Sequence, residues 1–419
     1  MPGRIAAYLI VFVSLAGVFL TPFQGTASDE VEVDSLWLPY DFYPTNSIDA
    51  AVESVEEEPD APGFLIFTVS SPHGVYTVHG LANLRKCLYE ISVLEKLKHD
   101  KSLGGGIASG AADSLKDTAT GFKNLVVNPI GSVSGLGRGI GKLGGKIGDA
   151  FRKKEKGEKG DDAYLLSSTK REVANKLGVD VYSRNIYLQK KLEFMAAARI
   201  GGRGLVSAVT FFMPVGTIAS AVMTASSVNN AADELVNDND RGDLYRLNRK
   251  ALLDLGFSDE KVVRFLNHPH YTPREFTYFR FYLEKLRDAE GFEYILEAAL
   301  AADSALPADK ILHEAQIAAE AAADPSLVTS VIPTPEGIIV EMREKLFLAA
   351  AYDSLDVSPL SESLEGKVLR FNEVLRKKFM GIRNGGAVSA RLDKMLFLKG
   401  IAVEKMCLFK SPAAGPHAR

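Results

Sequence analysis

The chain has 419 residues, of which 46% are hydrophobic and 24% are charged, a balance typical of globular domains that excludes global disorder. Its formal net charge of −4 is small for this length, so the chain offers no overall field for nucleic acid or anionic lipid. The length is sufficient for two or three domains.

The first 27 residues have the pattern of a secretory signal peptide. Arg4 supplies a positive start, residues 6–20 carry no charge, and the small residues at 25–27 suit a cleavage site. The apolar run is shorter than the roughly 20 residues that a membrane-spanning helix needs, which favours removal over anchoring. We therefore expect residues 1–27 to be cleaved and the mature chain to be exported to the periplasm.

The mature chain would begin with an acidic lead-in, residues 28–62, which contains no Lys or Arg and is expected to be extended or partly mobile. Within the next unit, residues 63–102, the β-rich runs 64–69 and 75–79 flank a five-residue loop that suits a hairpin. Residues 81–98 then place apolar side chains at helical spacing and end in cations that suit a helix C-terminus. This part predicts a small β-hairpin followed by a helix.

The two cysteines would both reach an oxidising compartment on export, so Cys87 and Cys407 are a candidate disulfide. Alternatively, Cys87 packs as a small hydrophobic residue, because it shares one helical face with Leu84, Ile91 and Leu94. The sequence leaves both alternatives open, since it does not set the separation that a disulfide requires.

Residues 103–160 are basic and rich in glycine, and they carry an apolar stripe at the spacing of an 11-residue helical repeat. Each glycine costs a helix on the order of 1 kcal/mol, so we expect this segment to need a template. A lipid interface would accept the stripe, and the neighbouring cations would meet anionic headgroups. The residues predicted to bind the membrane are Leu115, Phe122, Val126, Ile130, Val133, Leu136, Arg138, Ile140, Lys142, Leu143, Lys146, Ile147, Phe151, Arg152, Lys153 and Lys154.

Two other interpretations of this segment stay open. Glycines at four-residue spacing, such as Gly131, Gly135 and Gly139, would let another helix pack closely against it. The segment is also compatible with a flexible basic linker between two domains, with Pro129 as a break.

Residues 161–324 predict a helical body. Helices are expected at 165–177, 185–198, 243–255, 259–266, 273–288, 291–302 and 308–323. Ser258 before Asp259 and Thr272 before Pro273 suit the starts of two of these helices. The stretch 204–232 carries no charge, but Pro214 and Gly216 divide it, which favours a buried helical hairpin over a membrane-inserted segment.

Residues 325–410 predict a C-terminal α+β segment, with a hairpin formed by 327–332 and 337–341 and a short strand or helix at 395–400. Residues 411–419 are expected to be a disordered tail. The predicted fold class is therefore mainly α with small β-hairpin elements (α+β).

Three short motifs carry a resemblance to a known family: LGVDVYSRN at 177–185, RFLNHPHYTP at 264–273 and LFLKG at 396–400. In this order they resemble a family of uncharacterised exported proteobacterial proteins. The resemblance covers most of the chain after residue 75 and implies export. Because that family has no established activity, the resemblance implies no site residues.

Catalytic and metal-binding patterns are weak in this sequence. His268, His270 and His313 could be combined into a metal site, but Pro269 between the first two is more typical of a loop. We predict no catalytic residue, no metal and no cofactor. Nucleic acid is not expected as a partner, because the basic clusters lack interleaved aromatic residues.

The sequence therefore predicts a non-enzymatic periplasmic protein that associates peripherally with an anionic membrane surface through residues 104–156. Its helical body would serve as an interaction module for a protein partner. The alternatives are a metal-dependent hydrolase in the helical body and a membrane-inserting, pore-forming effector that uses residues 204–232.

Overall fold

The computed structural model describes residues 54–99, 161–200, 227–321 and 327–405. Within these ranges 57% of the residues are helical and 21% lie in strands, which confirms the predicted mainly α class with smaller β elements. Several predictions lie outside the described residues. They concern the signal peptide, the lead-in as far as residue 53, the whole glycine-rich segment with its membrane-binding residues, the stretch 201–226, Cys407 and the tail 411–419.

The described chain begins with a three-stranded antiparallel sheet. Strands β1 (Ser54–Ala61), β2 (Phe64–Ser71) and β3 (Gly74–His79) follow one another across it. The predicted hairpin is present, but its pairing continues to Ser71 and Gly74, so the turn has two residues instead of five. Strand β1 lies in the acidic lead-in, which was expected to be extended or partly mobile; its backbone pairs with that of β2.

Three helices pack around one small core after this sheet: α1 (Leu81–His99), α2 (Asp161–Leu177) and α3 (Ile186–Ile200). All three were predicted, with bounds that differ by a few residues. The buried side chains that form the core are Tyr89, Val93, Leu94, Leu97, Val173, Ala174, Leu177, Leu188, Leu192 and Met195.

The central body consists of six further helices. They are α4 (Ser227–Asp238), α5 (Arg241–Asp254), α6 (Asp259–Leu266), α7 (Pro273–Leu286), α8 (Glu293–Leu300) and α9 (Ala305–Ala321). Most side chains of α7 are buried, and this helix packs against α4, α5 and α9. Ser258 and Thr272, the predicted start signals, cap α6 and α7, and Thr272 forms a capping box with Glu275.

The C-terminal part is built on a five-stranded mixed sheet. In chain order its elements are β4 (Val328–Thr334), β5 (Gly337–Met342), β6 (Lys345–Ala350), β7 (Ser354–Leu355), α10 (Pro359–Leu375), β8 (Phe379–Asn384), β9 (Ala387–Val388), α11 (Ala390–Leu398) and β10 (Ile401–Lys405). The sheet order is β10-β8-β6-β5-β4, and β7 pairs with β9 separately. The β4–β5 hairpin was predicted, whereas helix α10 and the parallel strands β6, β8 and β10 were not.

Asp353 joins the first sheet to the C-terminal part. Its carboxylate accepts hydrogen bonds from the backbone amides of Leu65, at 3.0 Å, and Leu81, at 2.9 Å. The ring of Phe64 also packs against that of Tyr352, with the centroids 4.9 Å apart. The N-terminal strands therefore depend on a residue from the far end of the described chain.

Candidate functional site

A polar pocket lies where strand β3, helix α1, the loop between α2 and α3, and helix α7 meet. We call it the α1–α7 pocket. Its cavity volume is about 30 Å³, and it is lined by Tyr76, Asn83, Lys86, Cys87, Glu90, Ser183, Arg184, Asn185 and Glu275. Three of these residues belong to the LGVDVYSRN motif, and Glu275 follows the RFLNHPHYTP motif by two positions. The fold thus brings two separate motif regions to one place.

The loop that carries the first motif is held at both ends. Gly178 has a φ of 66°, a left-handed conformation that side chains disfavour. The amides of Gly178 and Val179 donate to the carbonyls of Asn175 and Ala174, which ends α2 in a Schellman motif. At the other end, the side-chain oxygen of Asn185 accepts hydrogen bonds from two amides in the first turn of α3, at 3.1 and 3.2 Å. The residues between these anchors are therefore firmly positioned.

Asp180 bridges two cations beneath the pocket. Its carboxylate lies 2.8 Å from Nζ of Lys86 and 3.1 Å from Nε of Arg274, and it is almost fully buried. Burial would raise the pKa of Asp180, but the charges of Lys86 and Arg274 outweigh burial and hold that pKa well below its ordinary value. The charges of Lys86 and Asp180 therefore neutralise each other at neutral pH.

Arg184 connects the two motif regions directly. Its Nη2 donates to Oε2 of Glu275, at 2.8 Å, and to the carbonyl oxygen of His270. Burial opposes the charge of Arg184, but Glu275 raises its pKa above the ordinary value. This second pair of opposite charges in the lining is therefore also matched.

Glu90 is the carboxylate of the lining that has no cation of its own. It is 4% exposed, and its Oε1 has no hydrogen-bond partner among the residues that the structure describes. Burial raises the pKa of Glu90 to about 7, and the charge of Lys86 together with hydrogen bonding from the side chains of Ser183 and Asn185 offsets this only in part. Asn185, 3% exposed, lies beside Glu90, and its Nδ2 also lacks an acceptor in the described ranges. The pocket therefore presents one unmatched acceptor and one unmatched donor.

The cysteine in the lining is poorly suited to nucleophilic chemistry. Burial, with a smaller contribution from Glu90, raises the pKa of the Cys87 thiol well above its ordinary value, so the thiol stays protonated. Cys87 has no disulfide partner among the described residues, and Leu84, Ile91 and Leu94 on the same helical face are buried with it. Because Cys407 lies outside the described residues, the disulfide stays a prediction.

Of the histidines considered for a metal site, His268 and His270 lie close together, and His270 and His313 are engaged with the backbone. The rings of His268 and His270 are 5.5 Å apart, and Nε2 of His270 is 3.0 Å from the carbonyl of Asp303. Nδ1 of His313 is 2.8 Å from the carbonyl of Asp309. No group of three or more His, Cys, Asp or Glu in the described ranges is arranged to hold a metal ion. The hydrolase interpretation therefore gains no metal centre from this part of the chain.

The residues predicted to contact a membrane are not among those of the α1–α7 pocket. The residues expected to contact lipid, from Leu115 to Lys154, lie outside the described ranges. Most of 204–232, the stretch of the pore-forming alternative, lies outside them as well. Among the helices that are described, none is both long and apolar enough to cross a bilayer.

Sequence reasoning did not identify the lining residues of the pocket. One signal was present, because Asn83, Lys86, Cys87 and Glu90 recur at three- and four-residue spacing and so place polar groups on one face of α1. The partners of these residues lie about a hundred or more positions away in sequence, which local patterns do not connect. No protein-family model, no curated protein and no solved structure matches the chain.

Proposed function

We propose that this chain is a non-catalytic binding protein of the cell envelope that holds a small polar molecule in the α1–α7 pocket. The observation that carries the proposal is Oε1 of Glu90, a buried carboxylate oxygen without a hydrogen-bond partner among the described residues. Such an orphaned group costs a folded protein on the order of 1–3 kcal/mol. A ligand that donates to this oxygen would remove that cost on binding.

The rigidity of the pocket supports this proposal, and its size limits the ligand. The cavity of about 30 Å³ has room for about two water-sized groups, so it admits a very small polar molecule or one end of a larger one. The surrounding charges of Lys86, Asp180, Arg184 and Glu275 already hold one another in place. Groups that are fixed before binding lose little conformational freedom when a ligand arrives.

The chemistry of the lining favours binding over catalysis. Its one thiol is kept protonated by burial, and histidine is absent from the residues described around the pocket. A nucleophilic cysteine needs a lowered pKa and an adjacent base.

The binding function can be tested with full-length protein isolated from the periplasm. Native mass spectrometry and ligand-detected NMR against a library of polar metabolites should reveal a bound small molecule. Cys87→Met, which extends a side chain into the pocket, should weaken that binding at least tenfold. Val374→Met, on the surface of α10 at 62% exposure, should bind like the wild type. Failure to find any ligand sensitive to Cys87→Met would contradict the proposal.

We also propose that the protein attaches peripherally to anionic membrane through residues 104–156 and can engage a protein partner through its helical body. The support is the apolar stripe beside Lys142, Lys146 and Arg152 in the sequence. This attachment would concentrate the pocket near the membrane surface.

Vesicle co-sedimentation with the full chain tests the attachment. The wild type should bind phosphatidylglycerol vesicles at low salt and dissociate from them at high salt. It should not bind neutral phosphatidylcholine vesicles. Reversing Arg152, Lys153 and Lys154 to Glu should abolish binding. Reversing the exposed Lys190, Lys250 and Arg287 serves as the control and should weaken binding much less. Equal loss in both triple variants would show that only overall charge matters.

A further inference from the structure

We infer that the ligand of the α1–α7 pocket carries a protonated primary amine, with Glu90 as its counter-ion. This inference rests on the proposed binding function and deepens it by naming the chemical class of the ligand. The observation that supports the inference is the position of two buried groups without a hydrogen-bond partner among the described residues. Oε1 of Glu90, a carboxylate oxygen, lies beside Nδ2 of Asn185, an amide nitrogen.

The ion pairs around the pocket show which carboxylate lacks a partner. Asp180, beneath the lining, pairs with Lys86 and Arg274, and Glu275 pairs with Arg184. Glu90 forms no ion pair with any described residue. A ligand with a positive charge would give Glu90 a counter-ion, whereas an anionic ligand would place a second negative charge beside a buried carboxylate. Opposite charges at short range are strongly favoured in a poorly solvated site.

The hydrogen-bonding groups favour a primary ammonium over a quaternary one. Quaternary cations are recognised by several aromatic rings around them, but Tyr76 is the one aromatic residue in the lining. A primary ammonium has three donors. Oε1 of Glu90 can accept one, and the hydroxyls of Tyr76 and Ser183 lie in the same lining to accept others. The hydroxyl of Tyr76 donates to the carbonyl of His73 at 3.2 Å, which leaves its lone pairs for a ligand.

The amide of Asn185 offers a second contact. Its oxygen is used to cap α3, so its nitrogen is the group that can donate to a ligand. An amide nitrogen donates and does not accept. It already lies close enough to Glu90 and Tyr76 to contribute a lowering of both pKa values, so a hydroxyl or carbonyl oxygen near the amine of the ligand, as in amino alcohols, would add a contact without being required.

Binding of such an amine depends on pH in a defined direction. Burial raises the pKa of Glu90 to about 7 in the free protein, so only its ionised fraction can pair with an ammonium. Of the titratable groups around the pocket, Lys86, Asp180 and Arg184 stay charged, and burial keeps Tyr76 and Cys87 neutral. Asp309, which accepts a hydrogen bond from Asn83 of the lining, has its pKa raised to about 7 by burial, so its ionisation favours a bound cation in the same direction. Ser183 and Asn185 do not titrate. Affinity should therefore rise roughly tenfold from about pH 6 to about pH 8, as Glu90 loses its proton.

Four probes of similar size test the inference with the full chain: ethanolamine, ethylene glycol, glycolate and tetramethylammonium. Saturation-transfer NMR and calorimetry should show that ethanolamine binds at least tenfold more tightly than the neutral, anionic and quaternary probes. Glu90→Gln should reduce ethanolamine binding at least tenfold. Glu234→Gln, exposed on α4, is the matched control and should leave binding unchanged.

The outcomes separate this inference from the proposed function. If ethylene glycol or glycolate binds as tightly as ethanolamine in a manner sensitive to Cys87→Met, the pocket still binds ligands but the amine assignment is overturned. If no probe and no library compound binds there, both proposals fall. Should Glu90→Gln not fold, the pH profile of the wild type decides: a flat profile overturns the role of Glu90, and a tenfold rise supports it.

Discussion

Glu90 shows how one buried carboxylate couples stability to pH. Its pKa is about 7 in the folded chain, against an ordinary value of 4.5, so folding disfavours the ionised form. The resulting penalty is absent below about pH 4.5, grows as the pH rises towards 7 and stays constant above it. The difference between the two pKa values corresponds to about 3 kcal/mol when the penalty is complete.

Replacing Glu90 with Gln should therefore stabilise the protein in a pH-dependent way. Urea unfolding should show a gain of about 2–3 kcal/mol for Glu90→Gln near pH 8 and almost none near pH 4.5, because the amide removes only the cost of the charge. Glu234→Gln, which is exposed, should change stability by less than about 0.5 kcal/mol at either pH. A Glu90→Gln variant that is less stable than the wild type near pH 8 would refute this account.

Single residues of the site were only partly predictable. The LGVDVYSRN and RFLNHPHYTP motifs drew attention to the segments that supply Asp180, Arg184 and Arg274. The sequence did not indicate that Lys86 pairs with Asp180, 94 positions away, because that contact depends on how α1 packs beside the loop. It also did not indicate that Glu90 is buried, unlike the charged residues on the exposed faces of other helices.

The ends of helices could be predicted from the sequence where they depend on residues that are close together in the chain. Ser258 and Thr272 were expected to begin helices, and their side chains cap α6 and α7. The break between α2 and α3 was likewise expected at Gly178, whose positive φ ends the helix. These features depend on residues three to five positions apart, which a sequence displays directly.

Two glycine-to-alanine substitutions should act in opposite directions on helices. Gly178→Ala places a side chain at a φ of 66° and should cost about 1–2 kcal/mol, loosening the loop that holds Asp180. Gly366→Ala lies within α10, where an added Cβ meets nothing within 4 Å, and should stabilise by about 0.5–1 kcal/mol. Chemical unfolding measures both. A loss of stability in Gly366→Ala would contradict the open space seen around α10.

Strands were predictable only as hairpins. The β2–β3 and β4–β5 pairs were expected because a short turn joins each pair. Strands β6, β8 and β10 pair in parallel, with α10 and α11 as the crossovers between them, so no turn signals the pairing. The acidic composition around β1 led us to expect an extended or partly mobile segment. The strand nevertheless pairs with β2, because main-chain hydrogen bonds do not involve the acidic side chains.

At the scale of the whole molecule, the sequence indicated a helical body between two α/β units, and the structure confirms the mainly α class. It did not indicate that the first and last of these units are joined. The carboxylate of Asp353 holds two amides that lie 288 and 272 positions earlier in the chain.

Asp353→Ala should weaken this junction. Losing both hydrogen bonds leaves two buried amides without acceptors, which should lower stability by about 2–4 kcal/mol. Hydrogen exchange should quicken at Leu65 and Leu81, while amides in α7 keep their relative protection. Asp356→Ala, three positions away and exposed, offers a comparison that should leave exchange at Leu65 unchanged. If hydrogen exchange became faster by the same factor throughout the chain, Asp353 would have no local role at the junction.

The same carboxylate sets an order of events during synthesis. Asp353 is made only after nearly three hundred residues that follow Leu65, so a nascent chain holds its first strands before their anchor exists. Contacts between such distant positions form slowly, and uncovered strand edges attract other chains in the meantime. The N-terminal hairpin is therefore exposed to misassembly for most of the time that the chain is being synthesised.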